Sequence, residues 1–371
     1  MPGIELLNTG LIYRSPQPHV RSVHAYFPSV VCMNNGEMLA TLVLGEAFEA
    51  TNLRTHVARS LDNGDTWQLE SPVYEGTSDR ITSDASRITA MPDGEIVLLM
   101  HRADRTNHPD EGFTNHANMG FVPVEMLLWR SRDYGRSWAG PETIQPPLVG
   151  PCFELCCPVT ALSDGRWILP TSTWRDWEGY CPDGMRMVAL VSHDHGETWP
   201  EYWDVMRDEA QRVIYWESKI VQMPDGLLLA VAWAYDEAAA HDLPNQYGVS
   251  TDGGETWSAP SSTGLLGQTL TPFVLGDGRV LCVYRRMDES GLWANMSHLE
   301  GSKWVNDEAF PLWGARAQGL TSTSENMAQN FTVLRFGAPC IAGLPDGTIF
   351  VAFWCYEDCV SNIRWLKLRI R

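Results

Sequence analysis

The apolar runs of this chain come in pairs, and each pair is separated by an Asp-Gly or Asn-Gly dipeptide. Six segments have this form: Ser29–Leu42, Ile88–Met100, Val159–Pro170, Ile220–Trp233, Pro272–Tyr284 and Ile341–Trp354. Such a dipeptide between two hydrophobic runs is a strong β-hairpin signal, because both residues tolerate positive φ. The runs are nearly continuous in apolar residues, which indicates strands that are buried on both faces. The pattern therefore predicts six hairpins.

A second repeat, Ser-x-Asp-x-Gly-x-[Ser/Thr]-Trp, follows four of these hairpins. Its copies are Ser60–Trp67, Ser131–Trp138, Ser192–Trp199 and Ser250–Trp257, with a degenerate fifth copy at Ser297–Trp304. In each copy we expect the aspartate to cap a turn, the glycine to be left-handed and the tryptophan to pack between strands. The box aspartates are therefore predicted to serve the fold rather than catalysis.

The two repeats together predict blades of four strands, A to D. The Asp-Gly turn joins A to B, and the Ser-x-Asp box joins C to D. Repeated units of this kind are typical of a propeller. We expect an all-β, six-bladed β-propeller that forms a single domain over residues 1–371. Residues 4–13 are expected to pair with the last blade and close the ring, which removes exposed strand edges.

This pattern resembles the sialidase superfamily with its Asp-box (BNR) repeats. The resemblance implies a propeller of the sialidase type, with a sugar site on the face away from the boxes. The family's sialidases carry an Arg-Ile-Pro motif on the first strand and a tyrosine nucleophile before the final hairpin. Here Phe27 stands at the arginine, and Ala338 or Pro339 stands at the tyrosine. Glu217 matches the family's glutamate in blade 4, but ordinary sialidase activity is not expected.

The residues at A-strand starts and B-strand ends are the predicted site, because both turns lie at the other end of each blade. The candidate catalytic residues are Glu217, Asp84, Glu154, His24 and His101. The candidate substrate-binding residues are Tyr26, Arg87, Arg102, Trp174, Arg175, Trp216, Trp233, Gln268, Tyr284, Arg285 and Trp354. The alternative for these residues is structural: ion pairs between blades, such as Asp84 with Arg87, and tryptophans in the core.

Carboxylates, arginines and tryptophans together favour carbohydrate chemistry. Glycoside cleavage needs an acid and a second carboxylate, arginines suit an acidic sugar, and flat indole faces suit a sugar ring. The leading hypothesis is a glycoside hydrolase acting on a terminal sugar, which the arginines allow to be acidic. Two alternatives stay open. One is a lyase on a uronic-acid glycan, with His24 or His101 and Tyr26 or Tyr284 abstracting the proton. The other is a propeller that binds sugar without catalysis.

Composition and charge limit the classes of molecule that this protein is expected to bind. The net charge is −19, which argues against nucleic acid and anionic membranes because both attract basic patches. No cofactor is implied. No metal is predicted either, since His24, His101, His108, His116 and His241 lack a ligand spacing and the Cys152, Cys156 and Cys157 cluster matches no zinc pattern. The nine cysteines, the polar first residues and the lack of a long apolar run lead us to expect a cytoplasmic protein. The pattern carries no signal for an oligomeric state.

Overall fold

The computed structural model describes residues 3–320 and 330–371. By contacts between Cα atoms the chain divides into two compact units. Unit 1 is Met1–Ala117, Phe121–Ile144 and Leu334–Arg371, and unit 2 is Asn118–Gly120 and Gln145–Val333. The single domain expected over residues 1–371 stays a prediction.

Unit 1 contains three antiparallel four-stranded sheets. Blade 1 is formed by β2 (His24–Cys32), β3 (Met38–Gly45), β4 (Arg54–Ser60) and β5 (Gln68–Pro72). Blade 2 is formed by β6 (Thr82–Ala90), β7 (Ile96–Asp104), β8 (Val124–Ser131) and β9 (Ala139–Thr143). Blade 6 is formed by β24 (Phe336–Gly343), β25 (Ile349–Glu357), β26 (Val360–Ile370) and β1 (Ile4–Tyr13). The antiparallel pairing of β1 with β26 confirms the prediction that the first strand joins the last blade.

Unit 2 contains the other three sheets. Blade 3 is formed by β10 (Cys152–Phe153), β11 (Thr160–Ala161), β12 (Trp167–Trp174), β13 (Met187–Ser192) and β14 (Glu201–Met206). Blade 4 is formed by β15 (Val213–Gln222), β16 (Leu228–Asp236), β17 (His241–Asp242), β18 (Gln246–Ser250) and β19 (Ser261–Ser262). Blade 5 is formed by β20 (Gly267–Val274), β21 (Val280–Arg286), β22 (Leu292–Glu300) and β23 (Lys303–Trp313). The described chain is thus all-β, and its six sheets are the blades of a β-propeller.

All six predicted hairpins are present, but their turns differ in detail from the prediction. Only the glycine has a positive φ, for example 84° at Gly36, while the preceding Asn or Asp does not. The N–H of Gly36 donates to Met33 O, and the N–H of Met33 donates to Glu37 O. This is the longer hairpin loop with one left-handed glycine, rather than the two-residue loop. The side chain before the glycine accepts a hydrogen bond from the N–H two residues later, as Asn35 does from Glu37 at 3.0 Å.

The four boxes form one repeated turn. In the first box the carboxylate of Asp62 accepts hydrogen bonds from Thr66 N at 2.9 Å and Thr66 Oγ1 at 2.6 Å. The Ser60 hydroxyl donates to Asp62 and accepts from Gly64 N at 2.8 Å. These hydrogen bonds lower the pKa of Asp62 to about 2. The prediction of a structural aspartate and a left-handed glycine is confirmed, and the serine has a role that the sequence analysis did not assign.

The hydrophobic core follows the contacts between neighbouring sheets inside each unit. In unit 1 one cluster joins blades 1 and 6 and includes Leu42, Phe350 and Trp365. In unit 2 one cluster joins blades 3 and 4, and another joins blades 4 and 5. Within the described residues, none of the helical segments is both long and apolar enough to cross a membrane.

Trp199→Ala should lower the free energy of unfolding by about 3 kcal/mol or more, because truncating a buried tryptophan leaves a large cavity. The Trp199 side chain is 5% exposed. Urea unfolding measures the change. Tyr180→Ala is the matched control, since Tyr180 is 59% exposed and its removal should change little. Equal unfolding midpoints for wild type and Trp199→Ala would contradict the packing role of the box tryptophan.

Candidate functional site

Four inner strands contain a β-bulge close to their first residues. Regular pairing is interrupted directly after Tyr26, Trp216, Gln268 and Gly337. The next residue has a positive φ in each case: 51° at Phe27, 50° at Glu217, 56° at Thr269 and 47° at Ala338. This conformation is unfavourable for residues other than glycine, and bulges re-aim the adjoining side chain. The same β-bulge geometry is therefore found at Glu217 in blade 4, at Phe27 in blade 1 and at Ala338 in blade 6.

Unit 2 brings two predicted acids, Glu154 and Glu217, together. The backbone N–H of Glu217 donates a hydrogen bond to Oε2 of Glu154 at 2.8 Å. Glu154 follows β10, and its own N–H donates to Ser172 O at 3.0 Å. Burial, and then the charge of Glu217, raise the pKa of Glu154 to about 8. A carboxyl group with this pKa keeps its proton at neutral pH, as a general acid must.

Lys219 belongs to the same cluster, although it was not among the predicted site residues. Its Nζ lies 2.9 Å from the carbonyl oxygen of Glu217 and 3.3 Å from the carboxylate Oε2 of Glu217. The Lys219 side chain is 10% exposed. The available sequence signal was its position in the same predicted strand, two residues after Glu217.

A chain of hydrogen bonds crosses from blade 4 to blade 5 in unit 2. Trp233 Nε1 donates to Asp242 Oδ1 at 2.7 Å, and Gln268 Nε2 donates to Asp242 Oδ2 at 2.8 Å. Arg285 donates from Nε and Nη2 to Gln268 Oε1 at 2.8 and 2.6 Å. Burial lowers the pKa of Arg285 to about 10, while the charges of Glu217 and Asp242 oppose the shift. The guanidinium is therefore charged at neutral pH and acts on Glu217. Asp242 was not among the predicted residues.

Three predicted tryptophans stack on one another in unit 2. The rings of Trp174 and Trp216 lie 4.9 Å apart with an interplanar angle of 11°, and those of Trp216 and Trp233 lie 4.3 Å apart. Their exposed fractions are between 0% and 4%. Trp174 Nε1 also donates to Met119 O at 2.6 Å. This placement makes the three rings packing residues, and it does not support their predicted role as faces for a sugar.

Two further predicted binding residues of unit 2, Arg175 and Tyr284, have structural partners. Arg175 forms a two-point ion pair with Glu237, with Nη2 to Oε2 at 2.8 Å, and donates to Asn118 O at 3.0 Å. Tyr284 packs in the cluster between blades 4 and 5. It precedes Arg285 in β21 and therefore points to the opposite face of the sheet. Burial raises the pKa of Tyr284 to about 12, which keeps the phenol neutral.

Unit 1 brings His24, Tyr26 and Trp354 together with Tyr356, which ends a B strand. The hydroxyls of Tyr26 and Tyr356 are hydrogen-bonded at 3.0 Å. The His24 ring lies parallel to Tyr26 at 6.0 Å and is 5.5 Å from Tyr356. His24 Nδ1 accepts a hydrogen bond from a backbone N–H at 3.1 Å, and burial lowers its pKa. Trp354 meets Tyr26 edge-on and is 1% exposed, so it too packs rather than presents a face.

Asp84 joins blade 1 to blade 2, but its partner is not the one suggested by the sequence. Its carboxylate accepts a hydrogen bond from Thr55 N at 2.6 Å and lies 3.6 Å from Arg54 Nη1. The sequence suggested Arg87 as the ion-pair partner of Asp84. That suggestion was wrong, because the partner in the structure is Arg54. The Asp84 side chain has no exposed surface, and burial raises its pKa to about 6. A carboxylate enclosed in this way does not support the predicted catalytic role.

His101, Arg87 and Arg102 lie in blade 2. His101 is 6% exposed, and burial together with the charge of Arg87 lowers its pKa to about 3. It is therefore neutral at physiological pH. Arg102 forms a two-point ion pair with Glu125 at 2.8 and 3.1 Å and donates to Tyr74 at 3.2 Å. Arg87 Nη1 donates to a backbone carbonyl at 3.0 Å. The ion pair holds Arg102 of β7 against Glu125 of β8 in its own sheet.

Metal-ligating side chains do not converge in the part of the chain that the structure describes. Over residues 3–320 and 330–371, no three His, Cys, Asp or Glu side chains are arranged to hold a metal ion. All nine cysteines have free thiols. Three predicted residues, Glu154, Glu217 and Arg285, interact in unit 2 together with Lys219.

The sequence match that decides the family covers the boxes. The family described as "BNR repeat-like domain" matches residues 56–305, more than half of the chain. The chain belongs to the BNR repeat-like family. Four of its six blades carry the repeat in intact form, and the match extends through the degenerate copy in blade 5. No curated protein matches the chain in sequence.

Solved structures resemble this BNR repeat-like protein in fold. A protein of unknown function from Dyadobacter fermentans matches with a TM-score of 0.73 and 21% identity over 100% of both chains. A sialidase from Streptococcus pneumoniae matches with a TM-score of 0.67 and 13% identity, over 97% of this chain and 70% of its own. An intramolecular trans-sialidase from Ruminococcus gnavus matches with a TM-score of 0.65 and 13% identity, over 94% of each chain. These matches confirm the six-bladed β-propeller of the sialidase type.

Glu154 should make the stability of this protein depend on pH. Its pKa is about 8 in the folded chain and 4.5 ordinarily, so the folded state binds more protons between these values. The stabilisation is fully present below the ordinary pKa and is lost as the pH rises toward about 8. The free energy of unfolding of wild type should therefore fall between about pH 5 and about pH 8, and Glu154→Gln should flatten that fall.

The matched control is Glu255→Gln, since Glu255 is exposed. Asp84 and Asp242 also have raised pKa values, but both remain in all three proteins. The difference between the two variants therefore isolates Glu154. Identical pH slopes for wild type and Glu154→Gln in urea unfolding would contradict a protonated Glu154.

Proposed function

We propose that this protein is a glycoside hydrolase that acts on a terminal, acidic sugar with Glu154 and Glu217 as its catalytic pair. The observation that carries the proposal is the juxtaposition of these carboxyl groups, with Glu217 N donating to Glu154 Oε2. Glycoside cleavage needs one protonated and one ionised carboxyl group. The raised pKa of Glu154 suits the acid. The ion pair of Glu217 with Lys219 suits the carboxylate.

In this proposal Glu154 gives its proton to the glycosidic oxygen as the bond to the anomeric carbon breaks. Glu217 faces the positive charge that develops on the sugar. It then either bonds to the anomeric carbon or takes a proton from the water that attacks there. In both routes water supplies the new hydroxyl group. When Glu217 has bonded to the anomeric carbon, Glu154 takes the proton of the attacking water and is restored; when Glu217 itself takes that proton, exchange with solvent returns a proton to Glu154. The anomeric configuration of the first product distinguishes the two routes.

An acidic sugar is proposed because two cations accompany the acids in unit 2. Lys219 is paired with Glu217, and Arg285 is fixed in orientation by Gln268 and Asp242. A guanidinium that is held by other side chains needs little reorganisation to bind a carboxylate. Uronic acids and other sugars with a carboxylate are the substrates of this class.

Glu154→Gln and Glu217→Gln should each lower turnover by about a hundredfold or more, the usual scale for a lost acid–base group. Both substitutions keep the size of the side chain, so melting temperatures should stay within a few degrees of wild type. The measurement is the release of reducing sugar from a panel of neutral and acidic glycans. Glu255→Gln is the control and should keep full activity.

Each outcome of that panel separates the alternatives. Ultraviolet absorbance from a new carbon–carbon double bond, lost in a His24 variant, would identify a lyase and overturn the proposal. Glycan binding without turnover would identify a sugar-binding propeller. Full hydrolytic activity in both glutamine variants would remove the pair from the mechanism.

Sialosides should not be hydrolysed at the rate of ordinary sialidases. Phe27 offers no guanidinium for the sialic acid carboxylate, and Ala338 offers no phenol as nucleophile, although both occupy bulge positions. A fluorogenic sialoside measures the activity, with the Streptococcus pneumoniae sialidase as the positive control. Rapid turnover by this protein would show that both positions are wrongly matched to the family.

A further inference from the structure

Lys219 donates to two atoms of the same residue, the backbone oxygen and the carboxylate of Glu217, at 2.9 and 3.3 Å. Glu217 is also the bulge residue with a φ of 50°. The ammonium group therefore bridges the main chain and the side chain across the bulge. The Lys219 and Glu217 side chains are 10% and 19% exposed. An ammonium group this deeply buried requires a partner of opposite charge.

The charges of this cluster balance only if one of its two carboxyl groups is protonated. The ammonium of Lys219 and one carboxylate cancel, and a second carboxylate would add uncompensated charge beside the first. Cys156 also faces Glu154 and Lys219, and burial raises its thiol pKa well above the ordinary value, so it contributes no charge. Arg285 acts on Glu217 as well as on Asp242, whose carboxylate offsets the guanidinium. The net charge of Lys219, Glu154 and Glu217 is therefore zero when they are present as one ammonium group, one carboxylate and one carboxylic acid.

We infer that Lys219 is a positioning residue that fixes the negative charge and the orientation of Glu217 and thereby leaves the single proton of the pair on Glu154. Its relevance to catalysis rests on the proposed function. The direction of the proton follows from geometry, because the charged ammonium of Lys219 lies 3.3 Å from the carboxylate of Glu217, whereas Glu154 accepts a hydrogen bond from the neutral backbone N–H of Glu217.

The chain offers a matched control. It contains three lysines, Lys219, Lys303 and Lys367. Lys303 is exposed at the degenerate box of blade 5, at the end of the sheet away from the A-strand start. Lys303→Gln therefore makes the same chemical change as Lys219→Gln without touching the cluster. Lys219→Arg keeps the positive charge.

The direct experiment follows the titration of Glu154 by carbon NMR of the whole chain with labelled glutamate carboxyls, assigned with Glu154→Gln. In Lys219→Gln the midpoint should rise by about one pH unit, because a nearby positive charge no longer favours ionisation. Lys219→Arg and Lys303→Gln should stay close to wild type. An unchanged midpoint in Lys219→Gln would overturn the inference, whatever the protein's activity.

Glu217→Gln supplies a second test that does not depend on Lys219→Gln folding. When Glu217 loses its charge, Lys219 is left with Glu154 as its acidic partner, and the Glu154 midpoint should fall. A midpoint that does not move would show that the two acids share no proton, and the inference would fail.

The activity readout separates this inference from the proposed function. With a substrate in hand, Lys219→Gln should shift the pH–rate profile as a whole to higher pH, and Lys219→Arg should restore it. If Glu154→Gln and Glu217→Gln keep full activity, the proposed function fails while the NMR result for Lys219 still stands. If those variants lose activity but the profile of Lys219→Gln matches wild type, the role of Lys219 alone fails.

Discussion

In four blades, the carboxylate of a box aspartate binds the N–H and the hydroxyl of the residue four positions later, and this turn sets how strands C and D pair. At Asp194 both hydrogen bonds go to Thr198. The serine beneath it holds the left-handed glycine, as Ser192 holds Gly196 at 2.8 Å. These hydrogen bonds of the turn are all made between residues of the box itself. In these four blades the serine and the aspartate of the box thus bind within the turn.

The β-bulges lie at the other end of the sheets. There the inner strands of four blades break their pairing and place one residue with a positive φ. A conformation of this kind is maintained only when the surroundings hold it. In blade 4 the ion pair between Lys219 and Glu217 bridges the bulge. Lys219 and Glu154 therefore both contact Glu217 at the bulge, Lys219 through its ammonium group and Glu154 through a carboxyl oxygen.

Charge balance explains why several predicted site residues have structural roles. Arg102 is neutralised by Glu125, and Arg175 by Glu237. In each of these pairs the two opposite charges compensate each other. The side chains therefore connect strands and loops and leave no net charge for a ligand. The Glu154 and Glu217 cluster differs because two acids share one ammonium group. Incomplete compensation of this kind shifts a carboxyl group toward neutrality, and it is common at functional sites.

The hairpins, the boxes, the pairing of the first strand with the last blade and the positions of Glu154 and Glu217 could be predicted from the sequence. They depend on local preferences, such as glycine for positive φ and aspartate for turns, and those are visible in a few consecutive residues. Only the tertiary structure decided that burial raises the pKa of Glu154, that Asp84 meets Arg54 rather than Arg87, and that Trp174, Trp216 and Trp233 stack on one another. Burial and distances between groups of different strands and blades determine these properties, and no local pattern in the chain encodes them.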